Sequence, residues 1–245
     1  MGGVSVQLEG GVARLDLCDS ERGNALSEAL VGALESTLEQ LGRDAAVSAI
    51  VLGAEGGTFC EGAPQSLLAR LCEAEVSPTD IRLPAALLGA PVPIVAAVSG
   101  HAVGGGFALA LAADIVVLAG ECRYGFNFTD LGFTPGMGTT RLAEHVLGPA
   151  LARELLLTGE LRRGRAFAPM LAVRPQSEVR EHALDLARRI ADKPRSATSL
   201  LKRTLAAPRR AAFEEALSVE SLMHALTFRD PATRRRIEEI HDGSR

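Results

Sequence analysis

The stretch with the strongest chemical signature is residues 94–114, IVAAVSGHAVGGGFALALAAD, where an apolar strand-like run meets a turn at Gly100, three consecutive glycines and an apolar helical run. Adjacent glycines cost conformational entropy on folding, so a backbone reason for them is expected. They let the chain approach a ligand closely, and their N–H groups fall at a helix N-terminus, where the dipole favours negative charge. The spacing is neither GxGxxG with an acidic residue about 20 positions on nor a P-loop, because the first Lys of the chain is Lys193. A nucleotide-phosphate cradle is disfavoured, which leaves an oxyanion site or a tight helix-strand packing point. A second Gly-rich segment, GGTFCEGA at residues 56–63, follows an apolar run that ends near Gly53.

Other side chains able to do chemistry are scattered. His224 lies in an apolar helical pattern, which by itself describes a packed core residue. Tyr124 reads as packing, and His101, beside the glycine turn, as structural. Arg70 and Arg82 read as surface residues on short helices, with a fork suited to carboxylate should one turn inward. His145, His182 and His241 have no metal-ligand spacing with one another, and no metal site is expected. Cys18, Cys60, Cys72 and Cys122 contain no close pair, so they read as reduced thiols.

The elements that must position these groups follow a strand-helix rhythm. Residues 4–8 and 13–17 alternate around Gly10 and Gly11 as a hairpin. A helix follows, capped by Asn24 or Ser27, with Leu26, Leu30, Leu34, Leu38 and Leu41 on one face. Short buried strands are expected at 49–53, 93–99 and 114–118, and alternation of strand and helix argues for an α/β layer structure with right-handed crossovers. From Ser177 onward the pattern is helical only, with Pro208 and Pro231 expected to start separate helices. The division expected is a core over residues 1–190 and a C-terminal helical region over 191–245.

The 245 residues are 47% hydrophobic and 23% charged, an ordinary globular composition. No apolar run approaches the roughly 20 residues needed to cross a bilayer, and no signal pattern opens the chain, so a cytoplasmic protein without membrane partners is expected. Residues 1–160 hold 8 Lys and Arg against 19 Asp and Glu, whereas residues 161–245 hold 18 against 11. With 4% aromatics and no Trp, nucleic acid is a poor match for that basic end. A solvated helical face, an anionic ligand or an acidic protein partner suits it better.

Taken in order, Arg22-Gly23-Asn24-Ala25-Leu26, the FCEGA loop, the GHAVGGG turn, Leu131-Gly132-Phe133-Thr134-Pro135-Gly136 and the helical C-terminus resemble the crotonase, or enoyl-CoA hydratase/isomerase, superfamily over nearly the whole chain. The resemblance implies a repeated ββα core with a C-terminal helical trimerisation region, and a homotrimer or hexamer. It also implies two backbone N–H donors, at Ala63 and Gly105, for the oxygen of a thioester carried on phosphopantetheine or CoA, with no further cofactor. Arg22, Ala25, Asn127 and Asp130 are the implied substrate-binding positions alongside Arg70 and Arg82. Typical hydratases carry two glutamates where this chain has Ala108 and Phe128.

The run Tyr124-Gly125-Phe126-Asn127-Phe128, the GFTPGMG segment and the residues around His224 are instead similar to the decarboxylases of polyketide β-branching. That subgroup implies decarboxylation of a 3-methylglutaconyl thioester on an acyl carrier protein, with His224, near neutral pKa, as proton donor. Its usual loop Lys is missing from residues 64–88, which leaves Arg70 or Arg82 to hold the substrate carboxylate. Asp130 stands where the subgroup more usually has Lys, as a new acid/base residue or a solvent-facing one. A double-bond isomerase, needing no carboxylate clamp, and a noncatalytic binding module are the competing readings.

Overall fold

Gly10 and Gly11, at φ of 55° and 79°, turn the chain between β1 (Gly3–Glu9) and β2 (Val12–Cys18), which pair antiparallel. The computed structural model describes residues 3–76 and 82–241. Ser27 caps α1 (Glu28–Arg43), its hydroxyl accepting from the Leu30 N–H at 3.2 Å, and Leu30, Leu34, Leu38 and Leu41 are buried in a stripe along it. Asn24 takes a different part: at φ 51° and fully buried, it donates through its amide to the carbonyls of Glu55 and Thr58 and so closes the loop before the helix.

The next segments repeat one plan, a strand in a large sheet followed by a short strand in a smaller one and then helix. β3 (Ala49–Ala54) leads to β4 (Thr58–Cys60), α2 (Gln65–Cys72) and α3 (Leu83–Gly89). β5 (Ile94–Val98) leads to β6 (His101–Val103) and α4 (Gly105–Leu111). β7 (Ile115–Ala119) leads to β8 (Arg123–Gly125), α5 (Thr139–Leu147) and α6 (Pro149–Thr158). After β9 (Leu161–Arg163) and β10 (Ala172–Arg174), the chain is helical: α7 (Val179–Ala191), α8 (Arg195–Thr227) and α9 (Pro231–His241).

The large sheet has the order β1-β2-β3-β5-β7-β10 and the small one β4-β6-β8-β9. β3 and β5 are buried at every position, which is why AIVLGA and IVAAV show no alternation. This mixed α/β architecture, with parallel strands at its centre, is the expected fold class. Tyr124 is buried beneath α4 among Phe107 and Phe167, its hydroxyl donating to the Val98 carbonyl and accepting from the Ala119 N–H.

Pro208 does not start a new helix: it lies inside the 33 residues of α8. A proline removes one helical hydrogen bond, but Pro208 and Thr204 lie on the exposed side, where water can serve the freed carbonyl. Two buried cations on the opposite side hold the helix to the core. Lys202 donates to the Leu87 carbonyl at 3.0 Å and to Asp114 at 2.7 Å, and Arg209 to the carbonyls of Ala113 and Leu111 at the end of α4. Among the described residues no helix is long and apolar enough to cross a membrane.

Candidate active site

The two Gly-rich loops meet backbone to backbone. A Cβ on Gly106 would run into the Cys60 carbonyl, and one on Gly62, at φ 87°, would lie 2.8 Å from the Val103 carbonyl and 3.1 Å from the Gly105 nitrogen. Both loops are pinned from outside: the Leu26 N–H donates to the Gly62 carbonyl at 2.8 Å and the Gly104 N–H to the Gly125 carbonyl at 2.9 Å. The close approach leaves Ala63 on one loop and Gly105 on the other lining one cavity. Neither backbone N–H donates to an acceptor among the described residues. Two free donors on rigid, facing loops can receive an oxyanion without reorganising.

The opposite wall comes from α8. Glu220, 1% exposed, accepts from the N–H of Gly138 at 2.7 Å and from the N–H and hydroxyl of Thr140 at 2.8 and 2.7 Å. It thereby ties the turn before α5 to the C-terminal helix. Burial pushes its carboxyl pKa up, against these hydrogen bonds. One helical turn on, His224 packs edge-on against Phe133 and Phe228, with ring centroids 5.9 and 5.2 Å away. A Cβ on Gly136 would sit 2.7 Å from its Cε1, so only glycine leaves room for the ring. Both imidazole nitrogens are buried and lack a hydrogen-bond partner. Burial pushes the imidazole pKa down from 6.5 to about 4, against a smaller upward pull from the Thr134 backbone. The ring is therefore neutral at pH 7, which corrects the expectation of a near-neutral pKa. Buried polar atoms without partners are rare and need an explanation; here they line a cavity.

That inner cavity, of about 80 Å³, brings Ala63, Gly105, Asn127 and His224 together with Leu71, Phe128, Phe133 and Met137. An outer groove of about 430 Å³ is lined by Arg22, Ala25, Ser27, Gln65 and Ile237. Glu61, Ala63, Leu68, Asn127 and Leu131 line both and form the neck between them.

The remaining expected site residues lie elsewhere. Arg70 pairs with Glu28 at 2.5 Å and Glu75 at 3.5 Å, and Arg82 pairs with Glu214 at 2.5 Å while covering the Phe213 ring. Neither lines the cavity, so the carboxylate clamp expected of them is absent, and among the described residues no Lys or Arg lines it. Their surface carboxylate partners hold both guanidinium groups outside. Asp130 is exposed against Gly159, its carbonyl accepting from Arg236, and does not reach the cavity. His101 is exposed and accepts from the Arg123 N–H through Nδ1. Among the described residues no group of three or more His, Cys, Asp and Glu is placed to hold a metal; the side chain of His241 lies outside them. Two residues of the site were missed by sequence reasoning. Glu61 stood in plain view inside FCEGA, whereas the partners of Glu220 carry no local signal.

The model of the enoyl-CoA hydratase/isomerase family matches residues 7–239. The bacillaene synthase decarboxylase PksI of Bacillus subtilis (strain 168) is 33% identical over 239 residues, covering 96% of each chain. A solved structure from a dehydratase/decarboxylase enzyme couple involved in polyketide β-branching superposes with a TM-score of 0.93 at 33% identity, over 97% of this chain and 98% of the other. The ECH2 decarboxylase domain of CurF from Lyngbya majuscula gives a TM-score of 0.91 at 32% identity over the same shares.

Proposed function

Because the chain belongs to the enoyl-CoA hydratase/isomerase family, we propose that the reaction run by this enzyme is the decarboxylation of a 3-methylglutaconyl-type acyl thioester. The substrate would be borne by an acyl carrier protein of a polyketide synthase, with CoA as an alternative carrier. The observation that carries this reading is His224, whose two unpartnered nitrogens are buried at a cavity it shares with the free N–H groups of Ala63 and Gly105, a cavity lined mostly by apolar side chains apart from Asn127 and Glu61. The positions that bear glutamates in typical hydratases hold buried Ala108 and Phe128, which supports a reaction other than water addition. Full-length similarity to decarboxylases of polyketide assembly supports the same reading.

In this reading the thioester oxygen lies between the two N–H groups. The bond to the distal carboxyl carbon breaks, CO₂ departs, and the electron pair moves through the carbon-carbon double bond onto the thioester oxygen as a dienolate. Preorganised donors in a water-poor site contribute about 3 to 4 kcal/mol each to such a state. Among the described residues the cavity is lined by the His224 imidazole, its pKa pushed down by burial, and by no Lys or Arg, so a substrate carboxylate would bring the full charge to its closed end. Opposite charge raises an imidazole pKa. His224 is thus charged on binding, pairs with the carboxylate, and gives up its proton when the dienolate collapses.

The outer groove, with Arg22 at its rim, suits the phosphopantetheine arm, and the net positive charge of residues 161–245 suits an acidic carrier. Along the outer side of α8, Leu200, Leu201, Leu205, Val219, Leu222 and Leu226 are 55–66% exposed, which supports self-association as a homotrimer or hexamer. Mass spectrometry of a 3-methylglutaconyl carrier protein incubated with the enzyme tests the reaction. Loss of CO₂ is expected; an unchanged mass with a shifted double bond, or no change at all, would contradict it.

A further inference from the structure

Among the described residues, three that carry a side chain have positive φ: Asn24, Ala74 and Met137, at 51°, 57° and 61°. Two are accounted for locally, Asn24 by its amide hydrogen bonds and Ala74 by its place after α2, where its N–H donates to the Leu71 carbonyl. Met137 lies in the turn before α5 between Gly136 and Gly138, and a third glycine would suit its backbone better. The turn is pinned on both sides: Thr139 donates to the Gly136 carbonyl through its N–H, at 3.1 Å, and its hydroxyl, and Glu220 holds the Gly138 N–H. Strained residues of this kind cluster at active sites and ligand clamps. The Met137 side chain lines the inner cavity. It is 7% exposed, and a Cβ on Gly105 would stand 3.0 Å from its Sδ. Its backbone begins one residue from Gly136, the glycine against which the His224 ring rests. The side chain therefore reaches from the His224 wall to the Gly105 loop, the same span that an acyl group in the cavity must cross.

We propose that Met137 is a specificity-determining residue whose thioether limits the substituent on C3 of the acyl group to the size of a methyl. This rests on the seating of the acyl thioester in the inner cavity, with its oxygen at Gly105 and its distal carboxyl toward His224, and not on the loss of CO₂. C3 lies midway between those two ends, in the stretch along which the Met137 side chain runs. Other walls there are stiff: Phe133 packs edge-on against Phe128 at 5.9 Å and stacks on Phe228 at 4.6 Å. An unbranched thioether fills an irregular gap beside such rings. A larger branch must displace it, and its sulfur already rests against Gly105. In an apolar site one methylene changes affinity by about 10- to 200-fold, so the filter is steep.

The test measures, by calorimetry on the whole enzyme, the binding of saturated 3-methyl-, 3-ethyl- and 3-propylglutaryl pantetheine thioesters. These keep the branch and the carboxylate but lack the double bond through which an electron pair would reach the thioester, so they bind without losing CO₂. Wild type should bind the 3-methyl ligand about 100-fold or more tighter than the 3-propyl one. Met137→Gly, whose backbone is at ease at φ 61°, should cut that ratio to about tenfold or less. Met137→Ala should give a ratio between the two, and Met137→Leu, which keeps the bulk, should retain the wild-type ratio. A role confined to holding the turn would instead weaken all three ligands by the same factor. That equal loss, or an unchanged ratio in Met137→Gly and Met137→Ala, would overturn the proposal, as would a wild type that binds all three ligands alike. A ratio that falls in these variants while wild-type enzyme releases no CO₂ from 3-methylglutaconyl thioester would uphold Met137 and remove the decarboxylase reading.

Discussion

The glycine loops on one side of the cavity and the face of α8 on the other line the same small space by different means. The loops present backbone N–H groups, so the identity of Ala63 matters little and the absence of side chains at Gly62 and Gly106 matters greatly. The helix presents side chains, Glu220 to hold the wall and His224 to line the cavity, and its position depends on pairing with Gly138 and Thr140 about 80 residues earlier in the chain. Backbone chemistry leaves a mark in local sequence, because close approach demands glycine. Side-chain chemistry on a docked helix leaves none until the docking partner is known.

Breaking each half separately sharpens this contrast. His224→Gln keeps a polar side chain of similar reach but cannot be protonated, and should lower turnover by roughly 10² to 10⁴ with folding retained; steady-state rates with circular dichroism as the folding control would show it. Gly105→Pro should cost slightly less, roughly 10² to 10³ in turnover, because it deletes one of the two N–H groups proposed to hold the thioester oxygen. Proline is tolerated at the first position of a helix, and Gly105 opens α4, so the fold should survive. A variant that keeps wild-type turnover at either position would remove that half of the account.

Glu220→Ala affects the helix wall without touching substrate. It leaves the Gly138 and Thr140 N–H groups unsatisfied in a buried place, with an expected loss of about 2 to 4 kcal/mol in denaturant unfolding. Turnover should fall by about tenfold as Gly136 and His224 lose their relative placement. The smallest effect concerns acid. The folded-state pKa of His224 is depressed from 6.5 to about 4, so the unfolded chain binds the extra proton first, and stability falls as pH drops from about 6.5 toward 4. The loss at pH 5 should be about 2 kcal/mol relative to neutral pH. Glu220, whose pKa is raised, contributes in the opposite direction, so the difference between wild type and His224→Gln isolates the histidine.

The same contrast explains how much was legible beforehand. The hairpin at Gly10 and Gly11, the Leu stripe of α1 and the buried strands follow from local turn chemistry and periodicity, and the structure contains them. Pro208 misled because a local rule about helix breaking was overridden by tertiary anchoring through Lys202 and Arg209 on either side of it. Arg70 and Arg82 have the right chemistry for a carboxylate, but their direction is set by Glu28, Glu75 and Glu214, which no spacing rule connects to them. The depressed pKa of His224 comes from Phe133, Phe228 and the surrounding walls, contacts that exist only once α8 has docked.

The central claim is that the closed end of the cavity carries no charge until the substrate carboxylate arrives and makes His224 an acid. It is tested most directly by counting protons when a 3-methylglutaconyl analogue, with a methylene in place of the thioester sulfur, binds at pH 7 in weakly buffered solution with a pH indicator. Wild-type enzyme should take up close to one proton per site, and His224→Gln, still binding the analogue, should take up none. Binding by wild type without proton uptake, or the same uptake in both proteins, would contradict the account.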